Sequence, residues 1–350
     1  MIVIFDTHPV QYRGPLFKRI SALCPGGLIV AYGSVCSLRG YFDSEFGKTI
    51  AWDVDLMQGY HWIDLSCGTK SRSLCRQSID IVQLIINRRP DAALFVHFNS
   101  LGQRAAYLVC LLLGVPIWLR TETQDQAFDR GPLKAWVRRS IWTIIYRTVA
   151  RAFYIGELNR KHLLSHGIAA ATLSASRYCV ADGVRRLPLN EKIGLRNRMR
   201  AELGLKEEDL VIGFCGKLIA KKNPLLLLEA FELVRTKCES SCRLVFIGSG
   251  ELEEHLRHRS EAISAEVKFV GFVNQEALPM HYLAFDVFVL PSKREGETWG
   301  LVVNEALQAG CAVAVSSAVG CAEDFGGWER CRVFEDGHFF VIADPPAGFG

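Results

Sequence analysis

Two stretches of this chain place charged side chains where they could handle a charged substrate. In "GFCGKLIAKKNP", residues 213–224, an apolar run ends at Gly216, lysines follow at 217 and 222, and Pro224 stands where a helix can begin. Gly216 permits close backbone approach, and the two ammonium groups could clamp a diphosphate from both sides. The same residues would also make a solvated basic turn, since the stretch is not a Walker loop and lacks GxGxxG. In "PSKREGETWGLVVNEALQAG", residues 291–310, Glu297 and Glu305 flank Trp299-Gly300, which opens an apolar helical pattern. Amides of Thr298, Trp299, Gly300 and Leu301 would project from that helix tip as an anion site. A carboxylate accepts hydrogen bonds from two hydroxyls, so two of them beside an anion site suit a nucleotide sugar. The plainer alternative makes Glu297 a dipole partner and Glu305 a surface residue, yet Glu305 stands within "LVVNEAL".

Other reactive residue types point to less. The twelve cysteines form no CxxC pair. Cys238 and Cys242 have no His at zinc-ligand spacing and are expected to be small buried hydrophobes. His162 and His166, four apart on an expected helix, lack the Glu of HExxH and are expected on a plain helix surface. Asp53-Val54-Asp55 has the spacing of a DxD motif but reads as a surface turn, so no metal site is expected.

These residues need elements to hold them. "IVIF" (2–5), "LIVAY" (28–32), "AALFV" (92–96), "VPIWL" (115–119) and "AFYI" (152–155) are continuous apolar runs of strand length. Helical periodicity lies between them at 74–88, 101–113 and 133–150. The second half repeats the pattern with strands at 210–215, 243–248, 267–272, 286–290 and 312–316 and helices at 223–236, 250–260, 275–284 and 300–309. Buried strands alternating with helices predict an α/β class with two parallel-sheet, Rossmann-like domains, at 1–180 and 181–350, divided near "VADGVRRLPLN" (180–190). In such sheets ligands bind beyond the carboxyl ends of strands. That singles out Asp6–Gly14, His97–Ser100, Arg120–Glu122, Gly216–Lys222, Gly248–Gly250 and Pro291–Gly300.

Composition sets outer bounds. With 350 residues, 49% apolar and 22% charged, the chain is an ordinary globular one, with length for two cores. The longest apolar run, Ala105–Leu119, is short of the roughly 20 residues a spanning helix needs. Without a recognisable leader, a cytoplasmic protein with reduced cysteines is expected. The net charge of +4 is unevenly spread: residues 1–180 carry 21 basic and 12 acidic side chains, and residues 181–350 carry 20 and 25. A basic half suggests an anionic partner. Residues 130–151, basic and aromatic with no acid, would suit an anionic membrane surface or a covering helix with aromatics facing inward. Nucleic acid is disfavoured because no recognition motif accompanies the basicity.

Residues 291–326 resemble the signature of retaining, GT-B-fold glycosyltransferases of family 4 (glycosyl transferases group 1), with its Glu, seven residues, Glu and an aromatic-Gly pair after the first. "CGKLIAKKNP" is similar to the family's paired-lysine loop, and "FIGSGELEEHLR" and "VKFVGFVNQEALPMHYLAFDVFVLPS" match its intervening pattern. "FDTHPVQYRGPLFKRI" and "LFVHFNS" look like a bacterial subset. The resemblance implies two facing GT-B domains and transfer of a sugar from a nucleotide-diphosphate sugar to a hydroxyl of a glycan or lipid-linked acceptor, in polysaccharide or glycolipid synthesis. It implies that Lys217 and Lys222 hold the diphosphate, Glu297 the transferred sugar, the amides of Trp299–Leu301 the phosphates and Glu305 the ribose. It also places His97 against the reacting sugar and Phe272 and Val273 beside the base. No cofactor or metal is implied. Asp6, His8, Arg13 and Arg120 are acceptor-side candidates, the arginines for a phosphate. The family's further C-terminal helices are not apparent in "EDGHFFVIADPPAGFG", so a crossing helix is expected to be missing. A truncated, non-catalytic relative that binds nucleotide sugar or a partner enzyme is the alternative.

Overall fold

The computed structural model describes residues 1–338 apart from 67–73, 98–99, 126–130, 182, 238–240, 262–265 and 295. The segment 339–350, on which the expectation about missing helices rests, lies outside the described residues, as does Cys238. The chain divides into two compact units: residues 1–41 with 50–178, and residues 42–49 with 179 onward.

The first unit is a seven-stranded parallel sheet. Its strands are β1 (Ile2–Asp6), β2 (Leu28–Tyr32), β5 (His61–Asp64), β6 (Ala92–Phe95), β7 (Ile117–Leu119), β8 (Val149–Tyr154) and β9 (Leu173–Ala175), in the order β5-β2-β1-β6-β7-β8-β9. Alternate residues of β1 enter different cores, Val3 and Phe5 one, Ile4 the other, as strand geometry requires. The helices are α1 (Gly14–Leu23), α2 (Leu74–Arg88), α3 (Leu101–Leu112), α4 (Pro132–Tyr146) and α5 (Glu157–Ser165). α3 begins with a capping box, Ser100 Oγ accepting from the Gln103 amide. The helix expected over 133–150 stops at Tyr146, because Val149 already pairs with Ile117 of β7.

The second unit holds six parallel strands: β10 (Leu210–Cys215), β11 (Cys242–Ile247), β12 (Val267–Gly271), β13 (Val287–Leu290), β14 (Ala312–Ser316) and β15 (Cys331–Phe334), ordered β12-β11-β10-β13-β14-β15. α6 (Leu189–Glu202), α7 (Pro224–Lys237), α8 (Glu253–Glu261), α9 (Leu278–Leu283), α10 (Leu301–Ala309) and α11 (Ala322–Phe325) complete it. Phe214, Leu227, Phe231, Leu244 and Phe246 form its core. Arg196 and Arg200 of α6 both pair with Asp286 before β13, at 2.5 and 2.7 Å, tying that helix to the sheet. Early in sequence, β3 (Tyr41–Asp43) and β4 (Lys48–Ile50) form a separate two-stranded arm, whose residues 42–49 belong to this second unit.

Candidate functional site

In the second unit the charged residues gather at the carboxyl end of the sheet. β10 ends at Cys215, and Gly216 and Lys217 follow directly. A 3-10 turn over Ala220–Lys222 and a left-handed Asn223 then start α7 at Pro224. The neighbouring loop must come close: at Gly248 (φ +129°) a Cβ would lie 1.9 Å from the Gly216 carbonyl oxygen, so only glycine fits. The loop after β13 is clamped to the lysine turn, the Lys293 amide donating to the Lys221 carbonyl at 2.8 Å. These loops bring the Lys222 ammonium into contact with the Glu297 carboxylate, both largely shielded from water.

α10 starts at Gly300, left-handed at φ +90°, with a Cβ position blocked by Val319. Gly300, the N-cap, brings no side chain of its own to this helix end, an arrangement suited to an anion at a helix tip. Thr298 is half-buried just before it. Trp299 is buried, donates from Nε1 to Asn304 Oδ1 at 2.8 Å and packs on Phe325. Its ring is structural, so only its backbone can meet a ligand. Leu301 is the first residue of α10.

Glu305, half-buried one turn further on, accepts from the Tyr282 hydroxyl at 2.8 Å. Burial raises its carboxyl to about 7, against the Tyr282 hydrogen bond. The buried Cys215 thiol feels both the Lys222 and the Glu305 charge and is itself raised to about 12 by burial. Lys222, Glu297 and Glu305 therefore share one neighbourhood.

Lys217 faces residues that the sequence did not single out. Its Nζ lies 3.1 and 2.9 Å from the two Asp43 carboxylate oxygens and 2.5 Å from Glu45 Oε2, and 4.9 Å over the Phe46 ring. Phe46 in turn meets Phe272 edge-on at 5.3 Å, and Val273 follows it half-buried. The position after β10 and the pairing with Lys222 signalled this lysine, but nothing local signalled its partners, some 170 residues away in sequence.

The first unit builds a second cluster after β1, β6 and β7. Buried Asp6 and Arg13 pair at 2.8 Å, Arg13 donates to Tyr12 Oη at 3.2 Å, and His97 Nε2 stands 3.4 Å from the same guanidinium. Burial raises Asp6, with Arg13 opposing; burial and Arg13 lower His97. His8 touches Thr7 Oγ1 at 3.0 Å and is lowered by burial and by Arg13. Arg120 donates to the Ser176 hydroxyl and carbonyl at 3.0 and 3.1 Å and lies over Tyr178, whose hydroxyl donates to Glu122. Asp6, His8, Arg13 and His97 thus come together, with Tyr12, Glu122 and Tyr178 as additions. Tyr12 and Glu122 fall in strand-following segments, the one signal that could have found them. Both guanidiniums are held internally, and both line an apolar cavity of about 120 Å³ with Ile4, Phe17, Trp118 and Phe153.

His162 and His166 are not on a helix surface, as expected, but buried. Tyr146 Oη lies 2.8 Å from His162 Nε2, Asp125 Oδ1 lies 2.9 Å from Nδ1, and His166 Nδ1 donates to the His162 carbonyl. The hydrogen bonds reach from α4 and from the loop at 125, which overrides the helix's polar appearance. The cluster reads as hydrogen-bonded packing.

Residues 196–337 match the family model described as "Glycosyl transferases group 1". The chain is 29% identical over 244 residues to "Sulfoquinovosyl transferase SQD2" of Arabidopsis thaliana, covering 69% of this chain and 45% of that protein. It is 28% identical to "Lipopolysaccharide 1,2-N-acetylglucosaminetransferase" of Salmonella typhimurium, covering 44% and 40%. The chain therefore spans less than half the length of either relative. Among solved structures it is similar to Anabaena Alr3699/HepE in complex with UDP (TM-score 0.70, 14% identity, 98% of this chain and 87% of that one). It is also similar to WaaG, a glycosyltransferase involved in lipopolysaccharide biosynthesis (TM-score 0.64, 12% identity, 98% and 88%). At such identities the likeness shows the fold: two Rossmann-like domains with parallel sheets, matching GT-B neighbours. The family match covers residues 196–337 of the chain, and the GT-B neighbours bear on the fold alone.

Proposed function

We propose that the protein transfers a sugar from a nucleotide-diphosphate sugar to a hydroxyl of a glycan or lipid-linked acceptor, with retention of configuration. The observation that carries this reading is the Lys222–Glu297 contact beside the Gly300 tip of α10, with Glu305 alongside. Lys222, Lys217 and the amides of residues 299–301 take the diphosphate. Glu297 takes hydroxyls of the sugar and Glu305 those of the ribose, while Phe272 and Val273 border the base.

In the reaction the bond from the anomeric carbon to the phosphate oxygen breaks and a bond to the acceptor oxygen forms on the same face. The acceptor's proton passes to the departing phosphate, so no protein nucleophile is needed. The chain's task is to hold the acceptor hydroxyl on the face the phosphate leaves and stabilise the charge growing on the leaving diphosphate. Paired ammonium groups and a helix tip supply that charge without a divalent cation. Losing a lysine costs about 2–4 kcal/mol of transition-state stabilisation, by analogy with one oxyanion donor. The Asp6, His8, Arg13, His97 cluster of the first unit would orient the acceptor. Arg13, already bound to Asp6, acts there by shaping the cluster.

The acceptor side would work at an anionic membrane, on its cytoplasmic face. α4 supports this: Leu133, Trp136, Val137, Ile141 and Ile144 are exposed along it, with Lys134, Arg139 and Arg147 also exposed. Apolar residues at three- and four-residue steps among cations suit a lipid interface. Trp142 and Tyr146 pack inward instead. Among the described residues no helix is long and apolar enough to cross a membrane.

The direct test is a panel of nucleotide-diphosphate sugars, scored by nucleotide-diphosphate release with a membrane extract as acceptor source. Wild type turns over one donor, and Lys222→Ala and Glu297→Ala lose that turnover. Equal release by all three would remove the proposed site.

A further inference from the structure

The arm between β3 and β4 contributes two acids to the neighbourhood of Lys217, and they are held very differently. Asp43 Oδ1 accepts from the amides of Glu45 and Phe46 at 3.0 and 3.1 Å, so its carboxylate is built into the turn. Asp43 is 12% exposed and Glu45 is 50% exposed. The arm itself is seated on the second unit: Ser249 Oγ donates to the Phe46 carbonyl at 3.2 Å, Phe46 abuts Phe272, and Lys48 lies 5.4 Å over the Phe272 ring.

A lysine ammonium has three N–H donors. Three carboxylate oxygens lie within 3.1 Å of Lys217 Nζ, two from Asp43 and one from Glu45. That donor set is full, and a phosphate oxygen cannot join it until a carboxylate leaves. The acid that can leave is the exposed one.

We propose that Glu45 is a built-in stand-in for a donor phosphate on Lys217, exchanged for the diphosphate when donor binds, while Asp43 stays and positions the lysine. This rests on the donor-site reading above and adds two residues with opposite roles to it. Glu45 lowers the affinity of the empty site for any diphosphate, which biases it against weakly anionic ligands. Asp43 raises the affinity by keeping the Lys217 side chain, with its four rotatable bonds, aimed at the phosphates.

The test is calorimetric titration of inorganic pyrophosphate, and of UDP in parallel, into the full chain, with melting temperatures as the folding control. Glu45→Gln should bind pyrophosphate about two- to fivefold tighter than wild type, the scale of an exposed ion pair removed. Asp43→Asn should bind it more weakly. In a Lys217→Ala background both effects should vanish, which a merely structural role for either acid would not produce. Wild type and Glu45→Gln binding pyrophosphate equally would overturn the exchange and leave the donor site standing. Asp43→Asn tightening binding as Glu45→Gln does would overturn the division of roles. Binding of neither pyrophosphate nor UDP by any variant would remove the donor site and the inference together.

Discussion

The Lys222 ammonium and the Glu297 carboxylate meet between the loops that leave β10 and β13. Each is mostly shielded from water, at 17% and 9% exposure. Removing one partner leaves the other charge with poor compensation. Lys222→Ala and Glu297→Ala should each lower kcat/KM by about 10²–10³, on the scale of a lost oxyanion donor. Each should also cost on the order of 1–3 kcal/mol in stability, an unpaired buried charge being the cause. The double variant Lys222→Met with Glu297→Gln should regain much of the stability and none of the turnover. Melting curves beside steady-state rates check both halves.

Glu305 gives a pH signature. Its carboxyl is raised to about 7 by burial, while it accepts from Tyr282. Only the ionised form accepts two ribose hydroxyls, so diphosphonucleoside affinity should rise about tenfold from pH 6 to pH 8. Stability runs the other way. The folded chain keeps a proton that the unfolded chain has already released, so the stability present below about 4.5 is lost as pH rises through about 7. Glu305→Gln should flatten both dependences, as calorimetry and melting curves across this range would read.

His162 gives the opposite stability slope. Burial lowers its imidazole to about 4, against Asp125. Between that value and the ordinary 6.5 the unfolded chain binds a proton that the folded chain does not. Stability present at pH 7 is therefore lost as pH falls through 6.5 toward 4, by about 3 kcal/mol at full development. Melting temperature should fall less steeply over this window in His162→Gln than in wild type.

The exposed apolar side chains of α4 predict co-sedimentation with vesicles containing anionic lipid, weaker with purely zwitterionic ones. Trp136→Ser with Ile144→Ser should reduce binding about tenfold or more, since each side chain buries an apolar surface in lipid. Both are exposed residues of the first unit, so donor hydrolysis in solution should be unchanged. Equal sedimentation of wild type and variant would refute the lipid-facing role.

Much of the architecture was legible because buried parallel strands announce themselves as unbroken apolar runs. β2 and β10 matched their expected limits, and α2 was found residue for residue. Strands with little to bury went unannounced: His61–Asp64 was given no strand, and among the described residues it pairs with β2 at the edge of the sheet. The lysine and glutamate loops were legible because their spacing is local. What Lys217 meets was not, since the arm at 42–49 belongs with a unit that begins well over a hundred residues later. The same holds for His162, whose burial depends on Tyr146 and Asp125 and not on its own helix. Local patterning gave positions along the chain; long-range partners decided charge state and exposure.

The most direct measurement is the structure of the protein crystallised with a nucleoside diphosphate. The account predicts phosphate oxygens within hydrogen-bond reach of Lys222 Nζ and the amides of residues 299–301, with the ribose hydroxyls on Glu305. A nucleotide bound elsewhere, with Lys222 still on Glu297 and the tip of α10 untouched, would contradict it.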